Sequence, residues 1–540
     1  MLNQKRSCSG AFFCYIVCLY CIIIISKRVQ KKSANGKIAA RPVQIIIFAA
    51  ERQCEFMENN KIELREKCCI FSKCIDADLD YQENLMSYND DLLKIIRCNI
   101  NNFIINYVYK NSVLTVYGKA KIFLTYISEA TGCISTAEFE EDFEKSINID
   151  GNYEDICADI SVCNKYNNCR VINQRRVDIH NSFVLKIKAY SDVCSSMLKE
   201  EENILINREE VSFISKLGSQ YTKSEFSEEI SIDEAECVKK IINVFSTSSC
   251  EDIKIVSDKL LVKSNVSFSV LYTTDTEKEI IKRCEKSTQI STIIDLPGVQ
   301  DGDIAFADIT TGNLFSKAKA DKNNELKIIE LIGDINVNCS VFRKQTELLS
   351  SDSYSVINEV SNDYQAVELM SDYSIERESL SQSVMFEIES LSIKQIFDLS
   401  VSIVDENVLE MNAFVTDENG ELRFITDRKK LDIASFEVSQ AFVSSFDYVI
   451  KSEKSINVRI TVNYSGLSYT AKKYRIVSGV KINSDKTFES PALAVYFADK
   501  NEKLWDIAKT FRTSVELIKR ENELDSDVLD TKRVLLIPGM

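Results

Sequence analysis

The sequence of 540 residues contains only four prolines and fourteen glycines. This scarcity excludes long proline- or glycine-rich linkers as major parts of the chain. The chain also has a single histidine, and its cysteines show no regular framework. A zinc site with the usual Cys/His spacing is therefore excluded, and the sequence predicts no metal and no other cofactor.

Cysteine is absent from the last two hundred residues, since Cys339 is the last of eighteen. The only Cys-x-x-Cys, Cys18 to Cys21, lies inside an apolar run. Scattered thiols of this kind are typical of a reducing compartment, where they serve as small buried hydrophobic residues.

Positive charge is in deficit: 66 lysines and arginines face 82 acidic residues, for a net charge of −16. Such a chain cannot neutralise many phosphates, so nucleic acid is excluded as the main partner. The first 56 residues differ, with nine basic residues and two acidic ones.

The N-terminal extension, residues 1–56, contains the apolar run Ala11–Ser26 between basic pairs. A spanning helix needs about 20 residues, so this run is short, although it fits a signal anchor. Two interpretations stay open. In the first, the run is a membrane anchor, and only in this case do we expect the protein to contact a membrane. In the second, the natural start is Met57 and residues 1–56 come from a start codon assigned too early. The change in charge at this boundary favours the second.

Self-comparison shows a repeat in the middle of the chain. Ser112–Ser128 aligns without gaps on Asp258–Thr274, at an offset of 146 residues. Both segments alternate apolar and polar side chains, which predicts half-buried strands. Asn-Asn or Asn-Gly in Tyr166–Gln174, Lys322–Leu331 and Glu418–Thr426 predicts three tight hairpin turns.

These patterns predict a mainly β protein of tandem sandwich-like units joined by short helical connectors. Acidic segments such as Leu198–Lys216 and Glu229–Phe245 are the expected connectors. The predicted divisions are 57–200 (first β unit with its lead-in), 201–239 (helical acidic connector), 240–355 (second β unit), 356–488 (third, diverged β unit) and 489–540 (C-terminal module).

The repeat resembles the SPOCS domain of clostridial sporulation proteins. Val116-Tyr117-Gly118 and Tyr126 carry the resemblance in the first unit. In the second unit it is carried by Val262, Tyr272 and the segment Asp352-Ser353-Tyr354-Ser355, while Ser264 stands where glycine is expected.

The C-terminal module has a pattern of its own. A helical stripe of apolar residues comes first, formed by Leu504, Ile507, Ala508 and Phe511. Thr513 or Ser514 then caps a second helix, Val515–Asn522. The final strand, Arg533–Pro538, is expected to pair with Leu493–Phe497.

This module resembles LysM, and a LysM module after SPOCS repeats is the arrangement of SipL-like spore coat morphogenetic proteins. The resemblance implies a βααβ fold with a core of Tyr496, Trp505, Ile507, Ala508, Leu517, Asn522, Ile537 and Pro538, with Leu504 and Leu535 also in family positions. It also implies a groove for N-acetylglucosamine polymers or a partner protein, lined by Asn501, Glu502, Lys503, Leu504, Glu523, Leu524, Asp525 and Ser526.

The first groove loop departs from the family, which has Gly-Asp-Thr where this chain has Asn501-Glu502-Lys503. Loss of the glycine makes a close approach of the backbone to a sugar harder. Lys503 also replaces a small hydroxyl with a long charged side chain. Binding of a peptidoglycan-type glycan, docking of a spore coat protein and a purely structural cap all stay open.

No catalytic constellation is found: the sequence has no phosphate-binding loop, no nucleophile elbow and no zinc-protease motif. His180 has no nucleophile beside it, and the carboxylate clusters Glu138–Glu144 and Asp295–Asp303 do not follow calcium-loop spacing. We expect a non-catalytic protein of spore coat or envelope assembly that reaches the forespore surface from the mother-cell cytosol. The alternatives are a membrane-anchored cell-wall protein and a wall hydrolase targeted by its LysM module.

Overall fold

The computed structural model describes residues 61–232, 237–275, 280–389, 391–405, 407–433, 436–488 and 492–539. Chain contacts place Glu63–Met197 and Asn203–Met540 in one compact unit, which contains almost all of these residues and is described below. The other described residues, 61–62 and 198–202, are not part of this unit. No described helix is long and apolar enough to span a membrane, and both Ala11–Ser26 and Met57 lie outside the described residues.

Six strands form the first β unit. They are β1 (Lys61–Asn84), β2 (Leu92–Lys110), β3 (Val113–Ser128), β4 (Ile134–Asn148), β5 (Cys157–Asn173) and β6 (Arg176–Leu198). Strands β2, β3 and β4 form an antiparallel meander, and the hairpin β5–β6 pairs with the lead strand β1 in the order β1-β6-β5. Buried Leu114 and Val116 of the meander share a core with Phe183, Leu185 and Ile187 of the hairpin.

The second unit repeats this order. Its strands are β7 (Ile204–Ser231), β8 (Val238–Val256), β9 (Lys259–Thr274), β10 (Ile281–Asp295), β11 (Ile304–Ala320) and β12 (Leu326–Ser355). Strands β8, β9 and β10 form the meander, and β7 pairs with the hairpin strand β12. From Leu260 to Val270 every second residue of β9 is buried, and Val262 and Phe268 share a core with Ile329 and Val337 of β12.

The third unit has the same order again. Its strands are β13 (Asn358–Glu387), β14 (Gln395–Asp405), β15 (Val408–Thr416), β16 (Leu422–Lys430), β17 (Val438–Ser452) and β18 (Ser455–Thr487). The lead strand β13 pairs with β18. A single pairing, Met370 with Ile214, joins β13 to β7 and merges the second and third sheets into one of six strands.

The first and second β units also share the positions at which strand pairing is irregular. In β2 the register shifts at Leu92/Lys94, Ile95/Arg97 and Ile104/Asn106, and in β8 it shifts at Val238/Lys240, Ile241/Asn243 and Cys250/Asp252. The two sets differ by the same 146 residues that separate the aligned strands. Both meanders turn into their central strand at a residue with positive φ, Ser112 in one and Asp258 in the other. The two units therefore share one backbone plan, bulges included.

The predicted helical connectors are wrong. Residues 204–231, in the expected acidic connector 201–239, form β7, and 238–245 begin β8. Within the described ranges the only helices lie in the C-terminal module. Glutamate favours helices locally, but here Glu209, Glu210, Glu225 and Glu229 are exposed on a strand whose pairing with β12 decides its conformation.

One of the three turn predictions is also wrong. Asn323-Asn324 and Asn419-Gly420 do form turns, and Asn324 and Gly420 have positive φ. By contrast, Asn168 lies within β5 and pairs with His180, and the hairpin turns between Asn173 and Arg176. The correct turns also occupy different places in their units, one before β12 and one before β16.

The C-terminal module is a βααβ unit. It consists of β19 (Leu493–Ala498), α1 (Leu504–Phe511), α2 (Val515–Asn522) and β20 (Arg533–Pro538). As expected from the sequence, the two strands pair antiparallel, from Leu493 with Pro538 to Ala498 with Arg533.

Candidate functional site

The core of the C-terminal module is formed by one face of each helix and one face of β20. Leu504, Ile507 and Ala508 of α1 are buried with Ile518 of α2 and with Leu535 and Ile537. Leu517, expected in this core, is only half-buried, because the buried position in α2 belongs to the next residue, Ile518. Half-buried Tyr496 packs its ring edge-on against Phe511, with ring centroids 5.4 Å apart.

Three polar side chains hold the ends of α2. Ser514 is the cap, since its Oγ accepts a hydrogen bond from the backbone N–H of Leu517 at 3.2 Å. Thr513 instead donates its hydroxyl to the carbonyl of Pro538 at 2.6 Å. Asn522 joins α2 to β20: its Nδ2 donates to the carbonyl of Leu536 at 2.6 Å, and its Oδ1 accepts from the same residue's N–H at 2.7 Å.

Two loops meet at one end of the module. The backbone N–H of Asn501 donates to the carbonyl of Leu529 at 2.8 Å, and the N–H of Leu529 donates to the carbonyl of Glu502 at 3.0 Å. The N–H of Leu504 donates to the carbonyl of Asp527 at 2.8 Å. The first loop thus contacts residues 527–529, just beyond the predicted Glu523–Ser526. Sequence reasoning missed these three residues, because backbone pairing between loops leaves no side-chain pattern.

Asn501 stands where the LysM pattern has glycine, and it adopts a backbone conformation that suits glycine. Its φ is +69°, in the left-handed region that glycine adopts freely and that asparagine tolerates better than other residues. With asparagine at this position, the first loop still makes its backbone hydrogen bonds to residues 527–529.

Glu502, predicted as a groove residue, closes its own turn. One carboxylate oxygen accepts the hydroxyl of Tyr496 at 3.1 Å, and the other accepts the N–H of Asp499 at 2.8 Å. The hydrogen bond to Glu502 raises the pKa of Tyr496 above its ordinary value. Glu502 therefore shapes the first loop as well as lining the predicted groove.

The remaining predicted groove residues differ in exposure. Lys503 is exposed immediately before α1, and the exposed residues of the second loop are Glu523, Asp525 and Ser526. Leu524 is half-buried and packs on the module core, so it presents the apolar part of this end. Lys519 pairs with Asp527 at 2.7 Å. The arrangement offers backbone groups, one apolar patch and acidic side chains, which can bind a polar neutral chain or a basic protein surface.

Trp505 lies at the boundary of the module, and its contacts extend outside it. Its Nε1 donates to Asp352 at 2.9 Å, and its ring meets Tyr354 edge-on, with centroids 4.9 Å apart. Both partners come from the end of β12. Assigning Trp505 to the module core was therefore incomplete, because half of its environment comes from the second β unit.

The histidine and the carboxylates that were candidates for catalysis or metal binding make other contacts in the structure. His180 is exposed on β6, with Nδ1 2.7 Å from Oδ1 of exposed Asp80. Asp303, from one of the carboxylate clusters, is held by Arg343 at 2.7 Å. Within the part of the chain that the structure describes, no group of three or more His, Cys, Asp or Glu side chains is placed to hold a metal ion.

A cavity of about 1550 Å³, which sequence reasoning did not predict, is lined by strands of all three β units. Ion pairs between units cross its wall, including Lys186–Asp405 at 2.5 Å and Lys188–Glu437 at 2.7 Å. Its lining residues carry a near balance of positive and negative side chains. The cavity wall is thus polar, but its positive and negative charges are balanced, so it does not favour a ligand of one charge.

Comparison with protein families identifies two parts of the chain. Residues 237–318 match the family model described as SipL, SPOCS domain, and residues 500–538 match the LysM domain. The chain carries a SPOCS domain and a C-terminal LysM domain. The SPOCS match covers β8, β9, β10 and most of β11, so it falls in the second unit.

The two matched families are binding domains, and LysM domains bind peptidoglycan and N-acetylglucosamine polymers. SPOCS and LysM domains together suggest a sporulation-related, peptidoglycan-binding protein. No curated protein and no solved structure matches the chain.

Proposed function

We propose that this protein is a non-catalytic assembly protein of the spore coat or spore envelope, and that its LysM module binds a peptidoglycan-type glycan. The observation that carries the proposal is the closed pair of loops in this module, with Asn501 in the left-handed conformation of a glycine. This pair of loops supports the proposal because Asn501 adopts a backbone conformation that glycine tolerates most easily, although the glycine itself is absent.

The three β units supply the assembly surfaces in this proposal. We divide the chain into units at 63–197, 203–355 and 358–487, each with a lead strand, a meander and a hairpin, followed by the module. The first and third are interpreted as SPOCS-like from this shared order, which the family match supports in the second. Their long strands present exposed faces with both polar and apolar side chains, which in this proposal pack against other coat components.

A spore coat protein is the second candidate ligand of the same groove. Exposed Glu523 and Asp525 favour it, because acidic side chains repel a glycan that carries carboxylates and attract a basic protein surface. In location we propose the forespore surface, reached from the mother-cell cytosol. A membrane-anchored wall protein is the alternative, and the cell fraction that contains the full-length protein distinguishes the two.

The test is calorimetric titration of the full chain with N-acetylglucosamine oligomers, together with pull-down on purified peptidoglycan. We expect saturable binding that is lost in Leu524→Asp, which puts a charge on the half-buried apolar part of the groove. Val534→Asp is the matched control, since it also puts a charge on an apolar residue, but Val534 is exposed on β20 outside the two loops. A folded chain that binds neither oligomers nor peptidoglycan would sink the glycan proposal and leave the coat protein as ligand.

A further inference from the structure

The end of β12 contacts the LysM module through the same Asp352-Ser353-Tyr354-Ser355 segment that carries the SPOCS resemblance. Its contacts are with α1 and with the turn between α1 and α2. None of these contacts involves the loops at the groove end of the module. The segment and the module are separated by the whole third β unit in the sequence.

Asp352 is the electrostatic centre of this contact. Its two carboxylate oxygens accept Lys509 Nζ at 2.8 and 2.6 Å, and one of them also accepts Trp505 Nε1 at 2.9 Å. Tyr364 donates its hydroxyl at 3.1 Å. Burial alone raises the pKa of Asp352, but the hydrogen bonds from Lys509 and Trp505 outweigh it, so the pKa lies below its ordinary value.

Tyr354 is the apolar centre of the contact. It is 1% exposed and belongs to the same buried cluster as Leu504, Ala508 and Ile518 of the module. Its hydroxyl donates to the carbonyl of Thr513 at 2.6 Å, which satisfies a buried backbone acceptor between the two helices. A side chain of the second β unit thus completes the core of the module.

Arg512 adds a third contact at the end of α1. Its guanidinium donates to the carbonyl of Ser355 at 3.0 Å and lies over the ring of Phe488, 4.2 Å from the centroid. Arg512 is also the C-cap of α1, with φ +55° in the left-handed region and its N–H donating to the carbonyl of Ala508.

We propose that residues 352–355 form an intramolecular docking site for the LysM module. The module is then held against the second β unit and does not swing on a tether. Its groove end stays exposed, whereas the α1 face with Trp505 and Lys509 is occupied by this chain. A protein partner that binds this α1 face must first displace the β12 segment. The inference goes beyond the proposed function, because it holds whichever ligand the groove binds.

The chain offers its own probe, since Trp505 is its only tryptophan. Time-resolved fluorescence anisotropy of the full chain reports how fast the module turns. A docked module turns with the whole chain and gives one slow decay, whereas a tethered module adds a fast component typical of a domain of its small size. We expect the slow decay alone in the wild type.

Two variants open the docking site from opposite sides. Lys509→Glu places a negative charge against Asp352, and its side chain is 41% exposed, so the module itself keeps its fold. Asp352→Lys places a positive charge against Lys509. We expect both to add the fast component. We expect Lys532→Glu to leave the decay unchanged, because the ion pair of Lys532 is with Asp499 of the module and not with β12.

Three results would overturn the proposal. The first is a fast component already present in the wild type, which means that the module is tethered. The second is a slow decay retained in both Lys509→Glu and Asp352→Lys. The third is a fast component that appears equally in Lys532→Glu, which means that any charge reversal loosens the module.

Discussion

Gly118 in β3 should tolerate no side chain, and this tests the packing of the first β unit. A Cβ at this position would lie 2.2 Å from Cζ of Phe143 and 2.7 Å from the backbone oxygen of Phe103. The Phe143 ring cannot simply turn away, because it packs on Phe183 with centroids 4.9 Å apart.

The second unit has Ser264 at the position equivalent to Gly118. Ser264 lies opposite Ile290, whereas Gly118 lies opposite Phe143. A smaller cross-strand partner is thus the physical reason why serine replaces glycine there.

For Gly118→Ala we expect a loss of about 3 kcal/mol in the stability of the first unit, at the upper end of ordinary overpacking, because a backbone atom is among the clashes. This corresponds to amide exchange faster by roughly 100-fold. Exchange in Leu92–Asn148 of the full chain, followed by mass spectrometry, measures the change locally.

Gly479→Ala is the matched control, since the nearest atom to its added Cβ is 3.9 Å away, in Asp363. We expect its effect to stay within about 0.5 kcal/mol. Adding Phe143→Ile to Gly118→Ala should recover about 1 kcal/mol, since the ring clash is removed while the contact with the backbone oxygen of Phe103 remains. Unchanged exchange in Gly118→Ala would refute the packing argument, and so would a double variant less stable than the sum of its parts.

Three further outcomes are expected in the LysM module. Asn522→Ala removes the bonds between α2 and Leu536, and should destabilise the module by about 1–2 kcal/mol, seen as faster amide exchange in β20. Asn501→Ala should cost about 1 kcal/mol in urea unfolding followed by tryptophan fluorescence, whereas Asn501→Gly should be near neutral, because only alanine is strained at φ +69°. The pKa of Asp352 is below its ordinary value of 3.8 when the module is docked. The contribution of Asp352 to docking is therefore complete above pH 3.8, and it is lost as the pH falls through the pKa of the docked state. Tryptophan emission followed from about pH 5 to about pH 2 should show this loss, and Lys509→Met should remove most of it.

The elements that depend on local pattern were predicted well from the sequence. Alternating side chains located β3 and β9, whose bounds differ by the same 146 residues as the aligned segments. The apolar stripe predicted α1, and the capping residue predicted the start of α2. In each case the signal and the structure lie within a few residues of each other, so neighbouring side chains alone determine the outcome.

The candidate site was predicted less completely. The sequence located the first loop and assigned Glu502 to the groove, but it did not show that this carboxylate also closes its own turn. It also missed the contact of that loop with residues 527–529, which is made by backbone atoms. A family resemblance transfers positions along the chain, whereas the direction of a side chain depends on the hydrogen bonds available around it.

What the sequence by itself determined is therefore the class of the protein: a repeat of half-buried strands, a small βααβ module at the end, and chemistry suited to binding. The tertiary structure alone decided that the acidic segment 204–231 is a strand, because its partner β12 lies about a hundred residues further along the chain. It alone placed Trp505 against Asp352, 153 residues away. Pairings between such distant residues arise only when the whole chain has folded, since no local pattern records which surfaces will meet.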